Sequence, residues 1–356
     1  MSIGEELSPT TYGSLPESIN DAEQLEEMLS RPNEGVVDAM ARLDGDIIVL
    51  GAGGKMGPSL TRMAKRASDA AGVTRRLIAV DRFRMEEKRA RLEAEGIETI
   101  RCDLLNPDQI AELPDVKNVV FMLGKKFGST NQEALTWAVN TYAPSLVCRK
   151  FGNSRIVTFS SGNVYGLNPI SLGGSVETDT LNAAGDYAMS VLGRERIFQY
   201  FSETYGIKTS IIRLNYAVEM RYGVLVDIAH KVWSGEPIDV TTGCANVIWQ
   251  GDANAMALQS FNIAASPAEI LNVTGPEQLS IRRVAHQFSA LMGKPASFVG
   301  AEASDALLNN AQKSFELFGY PKVTIQHMMP WIAKWVMEDG DKLDKPTHFQ
   351  ARDGKF

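Results

Sequence analysis

The sequence predicts an α/β fold. It should be a doubly wound parallel sheet covered by helices, with a smaller C-terminal lobe and an N-terminal helical arm. Three observations carry this. Short apolar runs alternate with segments of helical spacing, the signature of parallel pairing through crossover helices. The runs are continuously apolar rather than alternating, as in strands buried on both faces. The first run leads into closely spaced glycines that open a helix, the turn by which such sheets hold a dinucleotide. With 356 residues, 44% of them hydrophobic, the chain can build one large domain or two lobes sharing a core.

Residues 1–44 stand apart as the arm: a polar start, then two amphipathic pieces, AEQLEEML and VVDAMARL. The sheet domain spans 45–220 and also receives strands from 240–275. Its strands read DIIVL, RRLIAVD, ETIRCD, NVVFMLG, SRIVTFSS and KTSIIRLN, with helices between them. Residues 221–356 form mainly the second lobe. RYGVLVDIAHKVWSG and DANAMALQSFNIAA have helical spacing, PIDVTT and NVIWQ are short strands, and EILNVTG is a longer one. Ser280 is placed to cap SIRRVAHQFSALMGK. ALLNNAQKSFELFG and HMMPWIAKWVMEDG complete the helices before a polar tail. A lobe so placed lies over the carboxyl ends of the strands, where ligands of such sheets bind.

Bulk properties exclude several classes. The net charge of −7 and the lack of a basic stripe argue against a nucleic-acid partner. Cys102, Cys148 and Cys244 have no metal-ligand spacing, and an odd number fits buried cytosolic thiols better than disulfides. His230, His286, His327 and His348 form no close pair, so no metal site is expected. The acidic, polar start MSIGEELSPT is unlike a signal peptide. No apolar run approaches the roughly 20 residues of a membrane span. The expectation is a cytoplasmic protein.

The turn IIVLGAGGKMGPSL spaces Gly51, Gly54 and Gly57 as G-x-x-G-x-x-G, with Gly53 adding G-x-G and Lys55 and Met56 completing the loop. Such glycines allow a tight turn, a close phosphate and a close helix. The helix N-terminus then offers amides and a positive dipole end to a pyrophosphate. Asp81 ends the second strand, where a carboxylate accepts from ribose hydroxyls and repels a 2′-phosphate. NAD is therefore expected over NADP, although Arg82 and Arg84 follow. The competing reading of Asp81 is a helix N-cap. Asp103 and Leu104, ending the third strand, are placed to flank adenine.

The fifth strand ends FSSGNVYG, and Tyr187 follows in GDYAMSVLGRE at the start of a helix. With these segments and the glycine turn, residues 46 to about 340 resemble an extended short-chain dehydrogenase/reductase of the NAD-dependent epimerase/dehydratase kind. WQGDANAMA and NVTGPEQLSI resemble further family segments. The resemblance implies a Rossmann fold and roles for particular residues. Tyr187 moves the proton, and Ser161 holds the substrate oxygen. Asn163, Asn215 and Tyr216 face the substrate. Leu123, Gly124 and Asn140 lie beside the cofactor. It also implies a homodimer and a carbohydrate-derived substrate, with a hydroxyl or carbonyl of a sugar, sugar acid or polyol as the reacting group. Epimerisation or dehydration through a transient ketone, with NAD retained, is the sibling reading. Arg221, Tyr222 and Trp249 are further candidates for the lining, Trp249 being the better core residue.

The resemblance breaks at one place. The family's Tyr-x-x-x-Lys motif has Val191 where its lysine belongs. A phenol ionises at about 10, and shifting it to about 7 takes roughly 4 kcal/mol. Three readings follow: a substitute cation, with Lys125 or Lys126 placed for it; weak catalysis by an unassisted phenol; or a non-catalytic NAD-binding scaffold or sensor. Arg194, two turns past Tyr187, is assigned to a surface or interface.

Overall fold

A computed structural model describes residues 14–126, 131–343, 345 and 347–354. The first 13 residues of the arm segment lie outside these. Seven strands form the central sheet: β1 (Ile47–Leu50), β2 (Leu77–Asp81), β3 (Glu98–Arg101), β4 (Asn118–Phe121), β5 (Arg155–Ser161), β6 (Thr209–Leu214) and β7 (Glu269–Val273). Their order is β7-β6-β5-β4-β1-β2-β3, all neighbours parallel. Leu50 pairs with Val80 on one side and Phe121 on the other. The strands thus end together at one edge, and the order reverses between β1 and β4, opening a crevice there.

Alternation within β1 divides the core. Ile47 and Val49 face one side with α2 (Glu34–Arg42), α3 (Gly57–Ala70) and α10 (Gln250–Gln259). Ile48 and Leu50 face the other, toward α5 (Pro107–Ala111), α7 (Ala143–Lys150) and α8 (Gly185–Tyr205). Between the layers on that side, α6 (Glu133–Trp137) runs into a π-helical turn, Ala138–Tyr142, and then α7. α8 is 21 residues long and stops at Gly206, whose φ of 72° suits the left-handed C-cap. α4 (Glu86–Ala94) precedes β3.

The lobe has its own core. α9 (Val224–Ser234), α11 (Ile281–Met292) and α13 (Ile325–Met337) surround Trp249 and Trp331, whose rings meet edge-on at 5.8 Å. Trp249 is fully buried in this core. Ser280 caps α11, its hydroxyl accepting from the Arg283 amide at 3.3 Å. The predicted helix over ALLNNAQKSFELFG is a correction. Only α12 (Gln312–Phe318) is helical, and Asp305–Ala306 instead pairs antiparallel with Asn168–Pro169. Leu307 and Leu308 are buried and the Leu308 carbonyl accepts from Ser175, so tertiary pairing has overridden helical spacing.

The arm is integral to both cores. α1 (Ala22–Leu29) buries Leu25, Met28 and Leu29 in the lobe core, while α2 buries Val36, Ala39 and Met40 against the sheet. Asp21 and Asn33 cap the two helices. Glu26 pairs with Arg221 at 2.7 Å, Glu27 with Arg66 at 3.0 Å, and Trp331 donates to the Pro16 carbonyl at 3.1 Å. Arg221 is thereby held on the arm. Among the described residues no helix is long and apolar enough to cross a membrane. Leu25→Ala or Met28→Ala should each cost about 2–5 kcal/mol, by lost transfer energy and the cavity left. Denaturant unfolding checks this; an unchanged midpoint would mean that α1 adds nothing to the core.

Candidate active site

The glycine turn is shaped by its neighbours. Gly51 has φ 90°, and a Cβ there would stand 2.6 Å from the Leu123 amide nitrogen. At Gly57 a Cβ would meet the Ala52 carbonyl at 2.2 Å, so the start of α3 packs directly on the turn. Gly54 differs: its Cβ would meet only the Gly51 carbonyl, at 3.3 Å, and would project into open space. No side chain caps α3, so its first amides are left to a ligand.

Two cavities meet at Gly124. The larger, about 330 Å³, is lined by Gly51, Gly54, Lys55, Met56, Gly57, Ser161, Asn163, Tyr187, Asn215 and Tyr216. The smaller, about 270 Å³, is lined by Asp81, Arg82, Asp103, Leu104, Leu123 and Lys125. Gly53 lies between, where a Cβ would strike the Asp81 carboxylate at 2.8 Å. Asp81 does not cap α4, whose N-cap is Met85; its Oδ1 accepts from the Phe83 amide at 3.1 Å. Arg82 is drawn to Asp103, 4.0 Å away.

Ser161 ends β5, and its Oγ accepts from the Asn163 amide (3.2 Å) and Asn163 Nδ2 (2.9 Å). Both acceptor positions are filled, so the hydroxyl proton points onward. It reaches Tyr187, whose phenol burial raises above its usual range while the Ser161 hydrogen bond and the Arg194 charge pull it down. Below lies a buried network. Glu195 accepts from Ser160 and pairs with Arg213 at 2.8 Å; Arg213 donates to the Tyr165 hydroxyl at 2.7 Å, which donates to Asn272 at 2.8 Å.

The position of the missing lysine is filled by packing. Val191 is 1% exposed and clusters with Val164 and Tyr165. The next residue on that face, Arg194, is 4% exposed and lines the larger cavity, which corrects its assignment to the surface. Its NH1 donates to the Phe159 carbonyl (2.7 Å), NH2 to Asn140 Oδ1 (2.5 Å) and Nε to the Asn140 carbonyl (3.4 Å). Asn140, in the π turn, also accepts from the Lys125 amide at 3.1 Å and donates to Ser190 at 2.9 Å. It is fully buried and lines neither cavity, so it works as a bracket for Arg194. Among the described residues no carboxylate lies within ion-pair distance of Arg194, and burial lowers its pKa to about 10. Lys126 stands 6.0 Å from the Tyr187 ring centre, whereas Lys125 faces the other cavity.

A family model described as "NAD dependent epimerase/dehydratase family" matches residues 47–218. Residues 47–218 thus match the NAD-dependent epimerase/dehydratase family. This is a family of enzymes. No curated protein matches the chain. Solved structures similar to this chain include UDP-glucose 4-epimerase of Thermus thermophilus, in complex with NAD (19% identity, 81% of this chain and 98% of that one, TM-score 0.65). Another is dTDP-glucose 4,6-dehydratase of Bacillus anthracis, in complex with NAD (16%, 83% and 97%, TM-score 0.68). A third is a mutant UDP-glucuronic acid 4-epimerase of Bacillus cereus (17%, 82% and 99%, TM-score 0.68). At these identities the likeness is one of fold.

Sequence reasoning left some residues of this site unassigned. Lys88, on α4, reaches back to the Gly53 carbonyl at 3.4 Å. Lys345 and Thr347, from the polar tail, line the larger cavity beside Tyr222. Nothing local marks them, because the tail reaches the cavity only through the fold. Removing one partner of the buried Glu195–Arg213 pair should be costly. Glu195→Ala is expected to lose about 3–5 kcal/mol in denaturant unfolding; a loss under about 1 kcal/mol would mean that Arg213 finds another partner.

Proposed function

We propose that this chain is an NAD-dependent enzyme acting by hydride transfer on a hydroxyl or carbonyl of a sugar, sugar acid or related polyol. Tyr187 is its proton-transfer group, and Arg194 is the cation standing in for the family's lysine. The carrying observation is the Arg194 guanidinium, buried, held by oxygens of Asn140 and Phe159, and open to the cavity that Ser161 and Tyr187 line. A buried charge without an ion-pair partner is expensive, and a phenolate formed at Tyr187 is the partner its position suits.

The cofactor fits the chain. Gly54 leaves room at the turn, the open amides of α3 suit a pyrophosphate, and Asp81 suits a ribose with free hydroxyls. When bound, NAD supplies the hydride acceptor or donor. The protein's own part is proton and oxygen chemistry. Ser161, fixed by Asn163, turns its hydroxyl from Tyr187 to the reacting oxygen when substrate binds. Tyr187 takes the proton from a substrate hydroxyl, or returns it to a carbonyl. Arg194 favours the ionised phenol. Asn215 and Tyr216 border the substrate end. The scaffold reading rested on Val191, and Arg194 leaves it without that support. A cytosolic homodimer accompanies the proposal: the three thiols are free, and Leu135, Tyr142, Met189 and Tyr200 lie exposed along α6, the π turn and α8.

Turnover of a sugar panel separates the reactions. Released NADH indicates a dehydrogenase; product without net NADH indicates an epimerase or dehydratase. Tyr187→Phe should cut turnover by about a hundredfold or more with NAD affinity little changed. In the oxidising direction the rate rises as the phenol ionises. Arg194→Met removes positive charge, so that rise should move to higher pH, while Arg194→Lys should keep part of the rate. Val191→Lys should lower activity, since Val164 and Tyr165 fill its space. Full turnover in Tyr187→Phe would overturn the mechanism. Gly54→Val should abolish NAD binding in calorimetry, and NAD should bind more tightly than NADP; equal affinities would remove Asp81 from the ribose site.

A further inference from the structure

The lobe-facing wall of the larger cavity concentrates positive charge. Lys55 turns away from the glycine loop, its Nζ donating to the Ala217 carbonyl at 3.1 Å and standing 4.4 Å from the Tyr222 ring centre. Lys126 reaches the same space from the end of β4, beside the Tyr187 ring. Arg221 and Lys126 both add positive charge at Lys55. Lys345 joins them from the tail, and among the described residues no Asp or Glu lines the cavity. Two carboxylates act on the lysines from outside the lining, Glu219 on Lys55 and Asp227 on Lys126, and each also has a partner of its own. Glu219 pairs with Arg221 at 3.0 Å, and Asp227 accepts from the Thr347 amide at 2.9 Å. In a chain of net charge −7, such a wall selects for a negative ligand group.

We propose that Lys55 and Lys126 form an oxyanion subsite, and that the substrate carries a carboxylate or phosphate within a few bonds of the carbon served by Tyr187. This rests on the reading of Tyr187 given above. The cofactor's own phosphates are expected at the glycine turn of the same cavity, with the ribose wall at Asp81 in the other; Lys55 instead reaches the Ala217 carbonyl and the Tyr222 ring, and Lys126 the Tyr187 ring. Burial lowers both lysines to about 8, and a bound anion would relieve the repulsion at Lys55 and the burial together.

The test titrates NAD-loaded protein with D-glucose, D-glucuronate and D-glucose 6-phosphate. One anionic probe should bind about tenfold or more tightly than glucose. A preference for glucuronate assigns a carboxylate, and one for glucose 6-phosphate a phosphate. Lys55→Met and Lys126→Met should each lose about tenfold for that probe, with glucose and NAD affinities unchanged. The Lys→Gln variants should behave alike, which guards against a folding defect in one. Equal binding of glucose and both anions, or no binding of either anion, overturns the subsite. So does a loss confined to NAD, which would assign the lysines to the cofactor. Tyr187→Phe should retain anion binding. Should that variant keep full turnover while the lysine variants lose the anion, the catalytic reading fails and the subsite stands.

Discussion

A single buried charge organises this site. Arg194 sits two turns beyond Tyr187 on α8, with its guanidinium satisfied by carbonyl and amide oxygens. Those oxygens come from β5 and from the π turn before α7, so three elements must meet for the charge to be tolerated. Hydrogen bonds of this kind offset desolvation without cancelling the charge. The remaining positive potential falls on the cavity. Gly124 belongs to the same constraint, because a Cβ there would press on the guanidinium at 3.2 Å.

The surrounding architecture keeps this arrangement stiff. Asn140 ties the backbone after β4 to α8 through Lys125 and Ser190. Glu195, the next residue along α8, anchors that helix to β5 and β6 through Ser160 and Arg213. Successive residues of one helix thus face opposite duties, Arg194 toward the cavity and Glu195 into the sheet. The arm and the lobe close the other side, their cores joined through α1.

The sheet was legible because continuous apolar strands and a glycine turn are local signals, and both survive folding unchanged. The helix start at Tyr187 and the end of β5 at Ser161 were legible for the same reason. The loss of lysine at Val191 could be read, but its replacement could not. Arg194 looks like a surface residue in isolation, and its burial depends on Asn140, 54 positions earlier. Lys125 and Lys126 are equivalent in sequence; one residue of strand-end geometry sends them to different cavities. ALLNNAQKSFELFG has helical spacing, yet its first part is taken by pairing with residues 168–169, a long-range contact that periodicity does not encode.

The central claim is that Arg194 sets the ionisation of Tyr187. Spectroscopic pH titration of the Tyr187 phenol, isolated as the difference between the wild type and Tyr187→Phe, reads this without a substrate. The same difference is taken in the Arg194→Met background. The account predicts a clearly higher pKa for Tyr187 when the guanidinium is gone, and a smaller change for Arg194→Lys. An unchanged Tyr187 titration in Arg194→Met would contradict it, and would leave the arginine a structural bracket.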